Sequence, residues 1–205
     1  MIRCACLLML MTLSGCAAAG LASYVVSGPP TVPAKYIPLK VPTVVMAENP
    51  RLPIAQMVGP MIARDVTQQL AIYEVAPVVA PDKIDELRMK DARAFRARSI
   101  QSIGRTVGAE QVLLIELQEY AIQMDAGSDM IRGQTIAIVR FVSVQDGTTL
   151  WPEDSVGGFP IEAKVPYAKL SDGASEASLR IALNKILSIE IGRLFRDYKP
   201  DEVLE

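Results

Sequence analysis

The sequence contains no histidine, one tryptophan, three cysteines and only 5% aromatic residues. Without histidine no imidazole can activate a serine or cysteine nucleophile or bind zinc, which excludes Ser-His-Asp and Cys-His catalysis and His-type zinc sites. Lysine and arginine number 21 against 23 acidic residues, so no overall positive charge attracts nucleic acid. These shortages favour binding over catalysis, and we expect no enzymatic activity, no cofactor and no metal site.

The amino terminus has the pattern of a targeting segment. It reads MIRCACLLMLMTLSGC, with one basic residue, an apolar run and then small residues, which is typical of a secretory signal peptide. Leu13, Ser14 and Gly15 before Cys16 resemble the bacterial lipobox. This resemblance implies that residues 1–15 are cleaved and that acyl chains on Cys16 anchor the mature protein. The alternative is that residues 5–26, which are nearly uncharged, remain as a transmembrane helix.

The lipobox resemblance also implies a location in the bacterial cell envelope, with the domain in the periplasm. Ala17 follows the cysteine where an aspartate retains many enterobacterial lipoproteins at the inner membrane, so the outer membrane is favoured. Cys4 and Cys6 would leave with the signal peptide and Cys16 would be lipidated. The mature chain would then have neither a free thiol nor a disulfide, and its stability must come from a packed core.

A proline-rich segment follows the predicted anchor. Residues 27–42 read SGPPTVPAKYIPLKVP, and proline both fixes φ and lacks an N–H donor. We therefore expect residues 16–40 to be a lipidated terminus and extended tether that holds the domain roughly 40 Å from the lipid surface. In the alternative, the part from Lys35 to Leu39 packs along the domain as an edge segment.

Residues 41–198 have the patterning of one α/β domain, followed by a tail at 199–205. Apolar runs and alternation predict strands at 41–47, 73–79, 111–124, 134–145, 148–151 and 159–165, and helical spacing predicts helices at 54–71, 83–89, 93–107 and 174–198. Pro60 should kink the first helix or mark a later true start, Asp82 should cap the second, and Asp146-Gly147 should form a two-residue hairpin turn. The prediction is α/β (α+β): a mixed β-sheet of about four to six strands flanked by about three to four helices and ending in a long C-terminal helix.

Two segments resemble a known bacterial superfamily. Residues 107–114, VGAEQVLL, end a helix and begin a strand, and residues 140–151, RFVSVQDGTTLW, form a hairpin. Together with the element order, they resemble the superfamily of the TolB amino-terminal domain, CsgG and the lipoprotein activators of penicillin-binding proteins. The resemblance implies a protein-binding or assembly module of the envelope. An alternative that it also implies is a subunit of a CsgG-like oligomeric secretion or transport complex.

Candidate contact residues fall into two groups. Trp151, Phe159 and Tyr167 could form an aromatic partner surface, although packing of Trp151 in the core is the alternative. A basic run that includes Arg93 and Arg96 could face anionic lipid, peptidoglycan or an acidic partner, although a mixed solvated surface is the alternative. We expect the partners to be the membrane, through Cys16, and an envelope protein, with an oligomer as a further option and no nucleic acid.

We predict that Cys16→Ser releases the protein from the membrane fraction, because the residue that accepts the acyl chains is lost. Fractionation of cells that express each form, followed by immunoblotting, measures the release. A variant that stays in the membrane fraction with its signal segment uncleaved would favour the transmembrane alternative.

Overall fold

A computed structural model describes residues 29–154 and 157–202. Residues 34–196 form one compact unit. The described residues on either side belong to a second unit, in which Val32 and Tyr198 form an isolated antiparallel bridge. The predicted lipidation motif, Leu13 to Cys16, and the alternative helix at 5–26 lie outside the described residues. Within the described part of the chain, no helix is both long and apolar enough to cross a bilayer.

The sheet is mixed, as the sequence predicted. Its strands are β1 (Thr43–Glu48), β2 (Val78–Val79), β3 (Gln111–Met124), β4 (Met130–Ser143), β5 (Thr149–Trp151) and β6 (Phe159–Lys169). The strand order is β2-β1-β3-β4-β5, and β6 also pairs with β4. β1 is parallel to β2 and β3, whereas β4 pairs in antiparallel fashion with β3, β5 and β6. The α/β prediction is therefore confirmed.

Helices cover both faces of the parallel part of this sheet. They are α1 (Pro53–Ile72), α2 (Asp82–Lys90), α3 (Ala92–Ala97), α4 (Ile100–Val107) and the C-terminal α5 (Glu176–Arg193). On the sheet face that carries Val45 and Ala47, α1 packs on β1, and α5 packs beside α1 on β4 and β6. α2, α3 and α4 pack on the opposite face, which carries Val44 and Met46. Alternation along β1 thus supplies two separate apolar clusters, one for each helical layer.

The structure corrects several predicted boundaries. The helix predicted at 93–107 is two helices, because the chain is extended at Arg98 and Ser99 and the Ser99 side chain caps α4. This break raises the number of α-helices in the described residues to five. The second strand contains only Val78 and Val79, since turns occupy the preceding residues up to Pro77.

Three local predictions also differ from the structure. α1 begins at Pro53 and contains Pro60 in its interior, so Pro60 does not mark a later start of this helix. Pro81, not Asp82, is the N-cap residue of α2, and it makes no side-chain cap hydrogen bond. The loop between β4 and β5 is longer than the two residues Asp146-Gly147, and of these two only Gly147 has a positive φ. A two-residue type I′ turn needs positive φ at both positions.

The proline-rich segment contacts the domain before β1 begins. The backbone N–H groups of Lys35 and Tyr36 both donate to the carbonyl of Leu194, at 2.8 and 3.1 Å. The Tyr36 ring stacks on Trp151 with centroids 5.8 Å apart. From Ala34 onward the chain therefore has the edge-segment arrangement that the sequence left as the alternative.

A close contact between α1 and β1 holds the first layer in place. A Cβ atom on Gly59 would lie 2.3 Å from the backbone oxygen of Ala47, so only glycine permits this approach. Val58 and Ile62, beside Gly59 on the same helix, are fully buried. The position of α1 on the sheet thus depends on the absence of one side chain.

We expect Gly59→Ala to lower the free energy of unfolding by about 1–3 kcal/mol, because the new methyl group overpacks a backbone contact that cannot yield without moving α1. This loss should appear even though alanine favours an isolated helix by about 1 kcal/mol. Urea unfolding at equilibrium measures the change. The matched control is Gly157→Ala, where a Cβ meets open space. Equal stability of the two variants would contradict the prediction.

Candidate binding groove

The candidate site lies at the carboxyl end of β1. The chain leaves β1 for β2 on one side and later returns to β3 on the other, with the crossover helices on opposite faces of the sheet. This reversal opens a crevice at the carboxyl ends of the strands, where open α/β sheets bind their ligands. Glu48 and Glu116, the residues paired in register at this end, mark its position.

A groove of about 230 Å³ occupies this position. Its lining combines mostly apolar side chains with three arginines. It comprises Met46, Glu48, Asn49, Pro50, Ala55, Gln56, Arg88, Ala92, Phe95, Arg96, Arg98, Ile100 and Ile103. Met46, Phe95 and Ile103 are also buried in the second apolar cluster, so the floor of the groove is continuous with the core. We call this feature the Arg groove.

Arg88 is fixed at one wall of the Arg groove. Its guanidinium lies 3.0 Å from the carboxylate of Asp85 and 3.9 Å from that of Glu48, and it stands over the Phe95 ring at 5.0 Å. Charge pairing and the cation–π contact therefore join α2, β1 and α3 through one side chain. Because these contacts hold Arg88 in place, its guanidinium is less free to move towards a ligand.

Glu48 lies at the same wall with an altered proton affinity. Burial raises the pKa of its carboxyl above the ordinary value of 4.5, Arg88 lowers this pKa, and the nearby Glu116 carboxyl raises it. Glu116 in turn lies 3.8 Å from Arg140. The strand ends therefore carry two neighbouring carboxylates, each with one guanidinium group beside it. Among the described residues, no group of three or more histidine, cysteine or acidic side chains is placed to hold a metal ion.

The predicted basic run divides in the structure. Arg96 and Arg98 line the Arg groove with exposed side chains, and Arg98 donates to the Thr106 hydroxyl at 3.3 Å. Arg93 is also exposed but is not among the lining residues. Asp91, the acidic residue inside this run, caps α3 by accepting from two backbone N–H groups.

The three aromatic residues predicted as one surface do not form one, because Trp151 and Phe159 pack together while Tyr167 lies apart. Trp151 is only 8% exposed and packs against Tyr36, Phe159 and Phe195 at 5.2 to 5.8 Å, which is the core alternative for this residue. Phe159 is half-buried beside it. Tyr167 is exposed near the other end of β6, about 25 Å along the strand from Phe159. Trp151 therefore offers a partner little surface.

Sequence reasoning missed the floor and one wall of the groove. The predicted first strand ended at residue 47, with no role assigned to Glu48, Asn49 and Pro50 after it, and Phe95 lay inside the longer helix predicted at 93–107. A general rule could have located these residues, because open α/β sheets bind ligands at the carboxyl ends of their parallel strands. Applied here, the rule points to the residues after the first strand and to the basic run after the second strand.

Comparisons with known proteins give similar structures but no family. No protein-family model matches the chain, and no curated protein matches it. The lipoprotein GNA1162 from Neisseria meningitidis is 15% identical over 74% of this chain and 94% of its own, with a TM-score of 0.38. The PelC dodecamer from Paraburkholderia phytofirmans is 15% identical over 82% and 94%, with a TM-score of 0.39.

The hypothetical protein CT253 from Chlamydia trachomatis is 10% identical over 76% of this chain and 98% of its own, with a TM-score of 0.39. Similar structures thus include a lipoprotein and other bacterial proteins. Similarity at this level assigns no function, and the resemblance to the TolB and CsgG superfamily stays a prediction.

We predict that Glu48→Gln gains stability relative to the wild type as the pH rises from about 4 to about 7. The folded carboxyl has a pKa above its ordinary value, so it keeps its proton at a pH where the unfolded one has lost it. The stabilising contribution of this group is therefore present at low pH and lost as the pH rises through the folded pKa. Glutamine does not titrate. Thermal unfolding of both proteins at the two pH values measures this, and a difference in Tm that moves towards the wild type at the higher pH would contradict it.

Proposed function

We propose that this chain is a lipid-anchored protein of the bacterial cell envelope whose domain binds a protein partner through the Arg groove, without catalysing a reaction. The lipobox resemblance at Leu13 to Cys16 supports the anchor and a periplasmic domain, with the outer membrane favoured by Ala17. The observation that carries the binding role is the groove itself, with its apolar floor and exposed arginines at the strand ends.

The size of the groove favours side chains over a small-molecule ligand. At about 230 Å³ it is smaller than the roughly 300–1,000 Å³ of most small-molecule sites. A pocket of this size holds one or two bulky side chains, as the anchor pockets of protein interfaces do. Arg96 and Arg98 lie beside this pocket, so the partner should also carry negative charge next to the side chain that enters it. The proposed partner segment therefore has a large apolar side chain next to one or more carboxylates.

A second candidate is a subunit of an oligomeric secretion or transport complex. β6 favours it, because this 11-residue edge strand pairs only with β4 among the described strands, and a neighbouring chain could extend the sheet there. However, β6 also carries Pro160 and Pro166 and the exposed charges of Glu162 and Lys164, which are features that protect edges from pairing. The Arg groove is therefore the preferred contact.

Photo-crosslinking in living cells tests the proposal. A photoreactive amino acid in place of Arg96, which is exposed and lines the groove, is expected to form one dominant adduct with another envelope protein. Ala92→Trp should reduce this adduct at least about tenfold, because the indole fills the groove from a position already exposed to solvent.

The matched control is Ala94→Trp, on the same helix and also exposed but not in the lining. It is expected to leave the adduct unchanged. An adduct that survives Ala92→Trp would overturn the groove as the binding site. An adduct with the mass of two copies of this chain would support the second candidate instead.

A further inference from the structure

A short amphipathic segment precedes β1 on the compact domain. From Lys35 to Leu39 the burial of side chains alternates, with Tyr36 and Pro38 turned to the domain and Ile37 and Leu39 turned to solvent. Ile37 is 75% exposed and Leu39 is 54% exposed. Lys35 and Lys40, at the two ends, are exposed as well. We call the outward-facing set of Lys35, Ile37, Leu39 and Lys40 the basic apolar strip.

The strip is held rigidly against the domain from its inner side. Tyr36 stacks on Trp151, and its N–H donates to the carbonyl of Leu194. The carbonyl of Leu39 accepts from the side chain of Gln111 at 2.9 Å. The two outward apolar side chains are therefore presented by an ordered backbone, and little conformational entropy is lost when a partner covers them.

Both lysines keep their charge available to a partner. The ammonium group of Lys35 lies 5.3 Å from the Phe159 ring centre, and that of Lys40 donates to the backbone carbonyl of Glu74. Neither lysine forms an ion pair within the described residues. Leu39 also borders an open hollow of about 440 Å³, whose lining includes Arg105 and Glu110. The strip thus combines two exposed apolar side chains with two exposed lysines that form no ion pair among the described residues.

We propose that the basic apolar strip docks the domain on an anionic bilayer surface. This inference rests on the proposed lipid anchor at Cys16, because the roughly 18 residues between Cys16 and Ala34 span at most about 60 Å and keep the strip within reach of the membrane. Such a tether raises the effective concentration of the bilayer, so a weak contact suffices. Ile37 and Leu39 enter the headgroup boundary, while Lys35 and Lys40 attract the anionic headgroups.

Docking by the strip changes what the proline-rich segment does. The chain from Ala34 onward belongs to the domain, so the domain would rest on the lipid surface and would not stand away from it at the full length of the tether. The orientation of the domain relative to the membrane would then be set by the strip.

An environment-sensitive fluorophore on Ile37→Cys tests the proposal in the lipidated full-length protein. After reconstitution into vesicles of phosphatidylethanolamine and phosphatidylglycerol, its emission is expected to shift to shorter wavelength and rise at least about twofold, as lipid replaces water around the label. The matched control is the same label on Ile181→Cys, an isoleucine 62% exposed on α5. Its emission should not change. Lys35→Glu combined with Lys40→Glu should abolish the shift at position 37.

Three results would overturn docking by the strip. In the first, labels at positions 37 and 181 respond alike on vesicles that retain the protein. This result is consistent with the lipid anchor but contradicts docking by the strip. In the second, the shift at position 37 appears without vesicles and grows with protein concentration, which assigns the strip to a second copy of the chain. In the third, the protein separates from the vesicles on flotation, which overturns the anchor of the proposed function together with the strip.

Discussion

The contact between Gly59 and the backbone of Ala47 sets the spacing of the first helical layer, and much of the domain depends on it. Because no side chain separates α1 from β1, the helix lies directly on the strand and begins beside the carboxyl end of that strand. Ala55, one turn before Gly59, then lines the Arg groove. On the other face of β1, Met46 receives Phe95 and Ile103 from the second layer. A displacement of α1 would therefore alter the core and the groove together.

Around the Arg groove, partly buried carboxylates lie next to guanidinium groups that compensate their charge. Arg88 compensates the partly buried carboxylate of Glu48 and is also positioned by Asp85 and Phe95, so three elements share one cation. Removal of such a shared group leaves its partners with incomplete compensation. Arg96 and Arg98 are exposed and form no ion pair within the described residues, although Arg98 donates to Thr106, so these are the arginines proposed to meet a partner.

The groove and the basic apolar strip are separate features of one compact unit. The groove lies at the carboxyl end of β1, whereas the strip ends just before its amino end, so the length of the strand separates them. A domain held at the membrane by the strip could present the groove away from the lipid. Each feature presents exposed basic side chains although the whole chain is slightly acidic, with Arg96 and Arg98 at the groove and Lys35 and Lys40 at the strip. Net charge therefore says little about what each surface binds.

The sequence by itself determined the order and type of most elements. Alternation predicted the 14 residues of β3 with both of their boundaries, and helical periodicity predicted α1, since each pattern reports whether one face of a local segment meets apolar surroundings. The lipobox at Cys16 is likewise a local pattern, and it remains a prediction. Only the tertiary structure decided that Trp151 lies in the core, that Tyr36 belongs to the domain, and that Glu48, Arg88 and Phe95 meet in one groove. Periodicity cannot decide such points, because it identifies a buried face without naming its neighbour, and the neighbours here come from segments far apart in the chain.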